Sequence, residues 1–154
     1  MRTITDLLNE YGESHRNETN KFIHWICVPA IFFSILGLLY SVKLPFFVDG
    51  HHVNLAMIVM LLVLIYYFIL SPALAVGMFL FAGICMLGAH FIETTGIMPL
   101  WKFCLIVFIV AWVGQFYGHK VEGRKPSFLK DLQFLMIGPA WLMSFIYKRM
   151  GISI

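Results

Sequence analysis

The sequence predicts an all-α fold: a polytopic membrane helix bundle with four transmembrane helices, a fifth kinked, re-entrant or interfacial helix, and an N-terminal surface helix. Of the 154 residues, 60% are hydrophobic and 12% are charged, whereas soluble domains carry about 45–50% apolar and about 25% charged residues. The apolar residues also form five long blocks, as membrane-spanning helices require. This composition argues against a soluble enzyme and a disordered protein, and the length fits a single integral membrane domain, residues 1–154.

The N-terminal segment from Thr5 to Thr19 is polar and predicts a short helix at the membrane surface. Leu7, Leu8 and Tyr11 give it a narrow apolar stripe at helical spacing. The segment lacks the basic start and apolar core of a signal peptide, so no cleavage is expected. The first apolar block, Phe22 to Tyr40, contains no formally charged residue and predicts the first crossing.

The next three blocks predict three more crossings. Val53 to Leu70 and Ala73 to Ile92 are separated only by Ser71-Pro72, which is typical of a tight hairpin. The fourth block runs from Leu100 to Tyr117, with Lys102 near one end, where its side chain can reach the interface.

The fifth block, Leu132 to Tyr147, is shorter and is interrupted by Gly138-Pro139. We expect a kinked helix that is re-entrant or interfacial, although a fifth crossing stays open. With four crossings, most of the eleven Lys and Arg residues fall on one side of the membrane. The positive-inside rule then places both termini in the cytoplasm. We favour a bacterial inner membrane, or the endoplasmic reticulum if the source is eukaryotic.

The histidines sort by membrane side. His15 and His24 lie around the start of the first block and His119 follows the fourth. Four crossings separate these positions, and an even number returns the chain to the same face, so the three should meet at the cytoplasmic surface. The remaining histidines, in the His51-His52 pair and at His90, belong to the opposite side. There we expect a solvated loop and an interfacial pair of His90 with Glu93.

The three cytoplasmic histidines are candidate metal ligands. Imidazole suits Zn, Cu, Fe and Ni, and two or three histidines, with or without one carboxylate and with open positions, suit Fe(II) and dioxygen. The competing interpretation is that each is an interfacial or packed polar residue. His15 and His24 are half a turn out of phase on one straight helix, so they can share a metal only if the chain bends between them. The polar stretch around Asn17 could supply that bend.

Nearby polar residues have two interpretations each. Asn20 could hold a ligand histidine or bind substrate, or it could cap the first block. Gln115 lies one turn before His119 and could orient its imidazole or form an interhelical hydrogen bond. Glu122, three residues after His119, could share its helical face.

The basic residues near the same surface are Lys21, Arg124 and Lys125. They could bind a substrate carboxylate or contact anionic lipid headgroups. The cysteines, Cys27, Cys85 and Cys104, lie inside apolar blocks and imply no disulfide framework.

Two clusters resemble a known family. The first cluster is Tyr11-Gly12-Glu13-Ser14-His15-Arg16-Asn17 with Asn20, Ile23-His24 and Val28-Pro29. The second is Trp112-Val113-Gly114-Gln115-Phe116-Tyr117-Gly118-His119 with Glu122 and Pro126. Together they resemble the yeast-type 2-hydroxy fatty acid dioxygenases, small membrane proteins first catalogued as a domain of unknown function.

The resemblance implies an Fe(II)-dependent dioxygenase of fatty acid α-oxidation, which shortens a 2-hydroxy fatty acid by one carbon with O2. The family's histidines then correspond to His15, His24 and His119, its glutamine to Gln115 and its carboxylate to Glu122. The family pattern has one more residue between the last histidine and that carboxylate. The competing classes are a small membrane transporter or assembly factor and a zinc or di-metal hydrolase on the same ligands.

Overall fold

The computed structural model describes residues 3–13, 15–48, 50–123 and 135–154. In this part of the chain there are six helices and one two-stranded hairpin. In chain order they are α1 (Ile4–Gly12), α2 (Glu18–Tyr40), β1 (Lys43–Val48), β2 (His51–Asn54), α3 (Leu55–Leu70), α4 (Pro72–Thr95), α5 (Leu100–Glu122) and α6 (Ile137–Met150).

Helices α2, α4 and α5 are long and apolar enough to cross a membrane, with 23, 24 and 23 residues. Helix α3 has 16 residues, which at about 1.5 Å per residue is roughly 24 Å. This is shorter than the ~30 Å hydrocarbon core, so the predicted total of four crossings stays a prediction. Large apolar side chains on the outer faces are well exposed, as expected where lipid is the solvent: Leu87 is 72% and Val110 is 65% accessible.

The predicted N-terminal helix is shorter than expected. It ends at Gly12 instead of Thr19, and α2 begins at Glu18. The reason is the side chain of Asn17, which accepts hydrogen bonds from the backbone amides of Thr19 and Asn20 and so caps a new helix. The chain therefore turns between α1 and α2.

The segment expected to be a solvated loop is an antiparallel hairpin of β1 and β2, with the left-handed Gly50 (φ 77°) between the strands. His51 and His52 thus belong to β2. The Ser71-Pro72 pair does form a tight turn: the Ser71 side chain accepts from the Leu74 amide, and Pro72 occupies the first turn of α4.

The Gly138-Pro139 pair lies in the first turn of α6. Proline is tolerated there because the first amides of a helix have no intrahelical acceptor. Residues 132–134 of the predicted fifth block lie outside the described residues, so the kink stays a prediction. The packing of α6 against α1 brings Gly138 next to the Tyr11 hydroxyl.

The most extensive helix packing is between α2 and α5. Glycines permit it: a Cβ at Gly114 would overlap the Cys27 sulfur, and one at Gly118 would overlap the side-chain oxygen of Asn20. Small residues at such seams let two backbones approach closely in a membrane. This seam joins the start of α2 to the end of α5, and it carries the buried polar residues Asn20, His24, Gln115 and His119. The three cysteines are buried and free.

Candidate metal centre

His15 lies in the turn between α1 and α2. Its Nδ1 is 2.7 Å from the backbone oxygen of Tyr11, and its ring stacks on the Tyr11 ring at 4.3 Å between centroids. Trp141 of α6 lies beside the same imidazole, at 5.2 Å. With two aromatic neighbours, His15 is only 3% exposed.

His24 and His119 come from the α2–α5 seam. His24 lies in the second turn of α2 and is 1% exposed, and its Nδ1 is 2.9 Å from the backbone oxygen of Asn20. His119 lies in the last turn of α5 and is 5% exposed. Burial of three imidazoles at one end of a bundle is costly unless their nitrogens are used, which makes them functional candidates.

The three rings face one another. Their centroids are 4.2 Å apart for His15 and His24, 5.2 Å for His24 and His119, and 5.7 Å for His15 and His119. One nitrogen from each lies within 4.8 Å of the others. At metal–nitrogen distances of about 2.1 Å, three ligands of one ion lie about 3.0–3.6 Å from one another. The imidazoles would therefore have to approach one another by at most about 2 Å for all three nitrogens to bind one ion.

The hydrogen bonds at Nδ1 fit a metal site. A backbone carbonyl only accepts, so the Nδ1 of His15 and of His24 must each carry the proton and donate it. The lone pair is then on Nε2, the nitrogen that can bind a metal. Ligand histidines commonly donate their other N–H to a carbonyl in this way. Three such imidazoles could hold a transition metal, and nitrogen donors of this kind suit iron and zinc alike.

Glu122 is not part of the histidine group; its carboxylate holds the turn that carries His15. One oxygen accepts from the Arg16 amide at 3.0 Å. The other accepts from the Asn17 amide at 2.9 Å and from the Asn20 side-chain amide at 3.0 Å. The carboxylate thus binds the N-terminal end of α2, where amides and the helix dipole favour negative charge. It joins the end of α5 to the turn between α1 and α2.

Asn20 connects this carboxylate to the metal group. It is fully buried. Its side chain donates to Glu122, and its backbone oxygen accepts from His24. Asn17, and not Asn20, caps α2; that Asn20 holds a ligand histidine or binds substrate stays a prediction.

Gln115 is buried one turn before His119 and lines a small cavity of about 30 Å³. Tyr11, Trp112 and Gly138 line the same cavity. It lies between α1, α2, α5 and the start of α6. A substrate group that entered it would meet a carboxamide and aromatic walls.

The predicted carboxylate-binding residues are not all described. Lys21 forms an ion pair with Glu18 at 2.8 Å on the surface of α2. Arg124 and Lys125 lie outside the described residues. Sequence reasoning gave no role to Trp141, which lies beside His15; its position after Gly138-Pro139 gives no hint of this contact.

At the opposite end of the bundle, His90 and Glu93 do not pair with each other. The Tyr40 hydroxyl is 3.2 Å from Nδ1 of His90, and Lys43 forms an ion pair with Glu93 at 3.0 Å. These contacts tie α4 to the end of α2 and the start of β1. His90 is therefore far from the three clustered histidines along α2.

Two comparisons with known proteins find matches. A family model described as "2-hydroxy-palmitic acid dioxygenase Mpo1-like" matches residues 1–150. The chain is 32% identical over 146 residues to 2-hydroxy-palmitic acid dioxygenase MPO1 of Saccharomyces cerevisiae, covering 92% of this chain and 78% of the yeast protein. No solved structure matches the chain significantly.

Proposed function

The chain belongs to the Mpo1-like family of 2-hydroxy-palmitic acid dioxygenases, and from this premise we propose that it is an Fe(II)-dependent dioxygenase of fatty acid α-oxidation. It converts a 2-hydroxy fatty acid and O2 into the fatty acid that is one carbon shorter. The observation that carries the proposal is the buried group of three imidazoles whose nitrogens lie within 4.8 Å of one another.

In this proposal His15, His24 and His119 hold the iron. If Fe(II) is bound there, it would supply redox-active Lewis-acid chemistry for O2 and for the substrate's carboxylate and 2-hydroxyl groups. The protein fixes the imidazoles: the carbonyls of Tyr11 and Asn20 hold two Nδ1–H groups, so two rings are oriented before a metal arrives. Tyr11 and Trp141 cover His15 and keep bulk water from it.

The remaining polar residues act around this group. Glu122 and Asn20 position His15 and His24 through the turn and the α2 N-terminus. Gln115 can hydrogen-bond the substrate's hydroxyl or carboxylate, because its amide offers both donors and an acceptor. Lys21, Arg124 and Lys125 are the cations proposed to hold the carboxylate. For Lys21 this requires exchange of its surface ion pair with Glu18, which costs little because exposed pairs are weak.

The reaction balances without another reductant. The bond between C1 and C2 breaks, C2 becomes the new carboxyl carbon, and C1 leaves as CO2. The 2-hydroxy acid supplies all four electrons that reduce O2, and one water forms. We therefore expect one CO2 for each O2 consumed, with no 2-oxo acid co-substrate.

We also propose that the histidine group lies at the cytoplasmic surface of a bacterial inner membrane, with both termini in the cytoplasm. The excess of Lys and Arg at that end of the helices supports this orientation. A fatty acid could then enter the site laterally while its carboxylate stays near the interface.

Elemental analysis and turnover together test the proposal. Purified protein in lipid nanodiscs should contain stoichiometric iron and consume O2 with 2-hydroxypalmitate, releasing the 15-carbon acid. Alanine at His15, His24 or His119 should remove bound iron and lower turnover by at least 100-fold. The matched control is His90→Ala, at the opposite membrane face, which should keep both. Stoichiometric zinc without O2 consumption would indicate a hydrolase, and full activity with all three histidines replaced would refute the metal site.

A further inference from the structure

We infer that the acyl chain of the substrate runs along one face of α2, from the histidine group into an apolar groove between α2 and α3. The inference rests on the proposed function and adds the path and length of the chain. It names the residues that would contact the methyl end of a long acyl chain.

One face of α2 connects the two places. His24, Val28, Ile31, Ile35 and Leu39 recur every three or four residues. At about 100° per residue they lie within an arc of roughly 80° on the helix. His24 belongs to the metal group at the start of this face, and every later position is apolar.

Cavities border the apolar part of this face, from Val28 to Leu39. Val28 and Ile31 line the small cavity beside Gln115, and Ile35 and Leu39 line the groove. Leu135 lines both, so the two are neighbours. The groove is about 140 Å³ in volume and entirely apolar; it is lined by Phe32, Ile35, Leu36, Leu39, Val59, Met60, Val63, Leu135 and Met136.

Most of the lining residues are only half-buried. The groove is therefore a trough between helices, and a chain inside it can leave part of its surface against lipid. Hydrocarbon in this trough exchanges lipid contacts for protein contacts at little cost. The position of the acyl chain is set by the substrate's carboxylate and hydroxyl groups at the histidines, and the groove selects for chain length.

The length of the path can be worked out. From His24 to Leu39 there are fifteen residues, which at about 1.5 Å each is roughly 22 Å. Tetrahedral C–C bonds of about 1.5 Å advance an extended chain by about 1.25 Å per carbon. The path therefore matches a chain of about 16 to 18 carbons, with its methyl end near Leu39 and Val59.

Val59→Trp fills the far end of the groove and tests the inference by chain-length profile. With a 16-carbon 2-hydroxy acid, kcat/KM should fall at least tenfold, while a 10-carbon acid should stay within threefold of wild type. The matched control is Val110→Trp, which places the same side chain on the lipid face of α5, where Val110 is 65% exposed. Its profile should be unchanged. A folded Val59→Trp protein with the wild-type chain-length profile would overturn the inference that the acyl chain occupies the groove.

Photolabelling of the wild-type protein gives a second readout that needs no turnover. Anaerobically, a 2-hydroxy fatty acid with a diazirine near its methyl end should label Leu39 and Val59, and unlabelled 2-hydroxypalmitate should compete. Labels on Val110, or in the separate groove between α1 and α6 that Thr5 and Lys148 line, would overturn the inference. Competition by phospholipid alone would also do so. Labels on Leu39 and Val59 in a protein that consumes no O2 would support acyl binding in the groove and refute the dioxygenase function.

Discussion

We expect Glu122→Ala to weaken metal binding by about 10- to 100-fold, although it removes none of the three histidines. The change deletes three hydrogen bonds, from the amides of Arg16 and Asn17 and the side chain of Asn20. Hydrogen bonds to a charged group contribute about 1.5–3 kcal/mol each, but water can replace some of them at this half-exposed site. A total of about 2–4 kcal/mol is therefore reasonable, and the turn that carries His15 loses its anchor to α5.

The affinity change follows from that cost. A change of 10- to 100-fold corresponds to about 1.4–2.7 kcal/mol, within the range that the lost bonds can supply. Groups that support metal ligands from outside typically have effects of this size. Anaerobic Fe(II) titration against a competing chelator, with the protein in nanodiscs, measures it directly.

The control for this prediction is Glu18→Ala. Glu18 is a carboxylate at the same helix N-terminus, but its side chain is 88% exposed and pairs only with Lys21 among the described contacts. It should change metal affinity by less than threefold, since exposed ion pairs are weak. If Glu122→Ala binds Fe(II) as tightly as Glu18→Ala does, the carboxylate does not position the site and the reasoning is refuted.

Two further substitutions probe the packing that carries the site. Gly118→Ala should displace the side chain of Asn20 and lower Fe(II) affinity at least fivefold. Its control is Gly114→Ala, whose new methyl group meets Cys27 at the same seam; it should lower Tm but leave Fe(II) affinity within twofold. Equal Fe(II) affinities of the two variants would contradict this prediction. Tyr67→Phe should cost about 1–2 kcal/mol, because the buried hydroxyl donates to the Met136 carbonyl at 2.5 Å, with no change in iron content. Thermal unfolding checks the loss, and an unchanged Tm would contradict it.

The membrane character of the fold could be predicted because it depends on composition and block length. Helices α2, α4 and α5 fall on three of the five apolar blocks, since a backbone in hydrocarbon must satisfy its own hydrogen bonds. The β1–β2 hairpin was missed, because its exposed sequence lacks the apolar alternation that predicts a strand. The shorter α1 could have been read from Asn17, whose capping preference competes with a continuous helix.

The site was only partly predictable, for a different reason. Parity of crossings groups His15, His24 and His119 without any knowledge of packing, and the structure brings these residues together. The partners of Glu122 lie more than 100 residues earlier in the chain. The spacing of three residues between His119 and Glu122 predicts only that the two side chains share a face of α5, and not that Glu122 binds the turn before α2. Long-range hydrogen bonds of this kind depend on which helices pack, which local patterns do not encode.

The site therefore depends on two levels of structure that can fail separately. The orientation of two imidazoles is local, because His15 and His24 each donate to the carbonyl four residues before them. The meeting of the rings is not local, because it requires α5 to approach α2 at Gly118 and Glu122 to hold the turn. A change at the seam can thus leave each histidine correctly oriented and still separate the three nitrogens. Metal affinity should consequently respond to small shifts beside Gly118, where Asn20 packs, before global stability does.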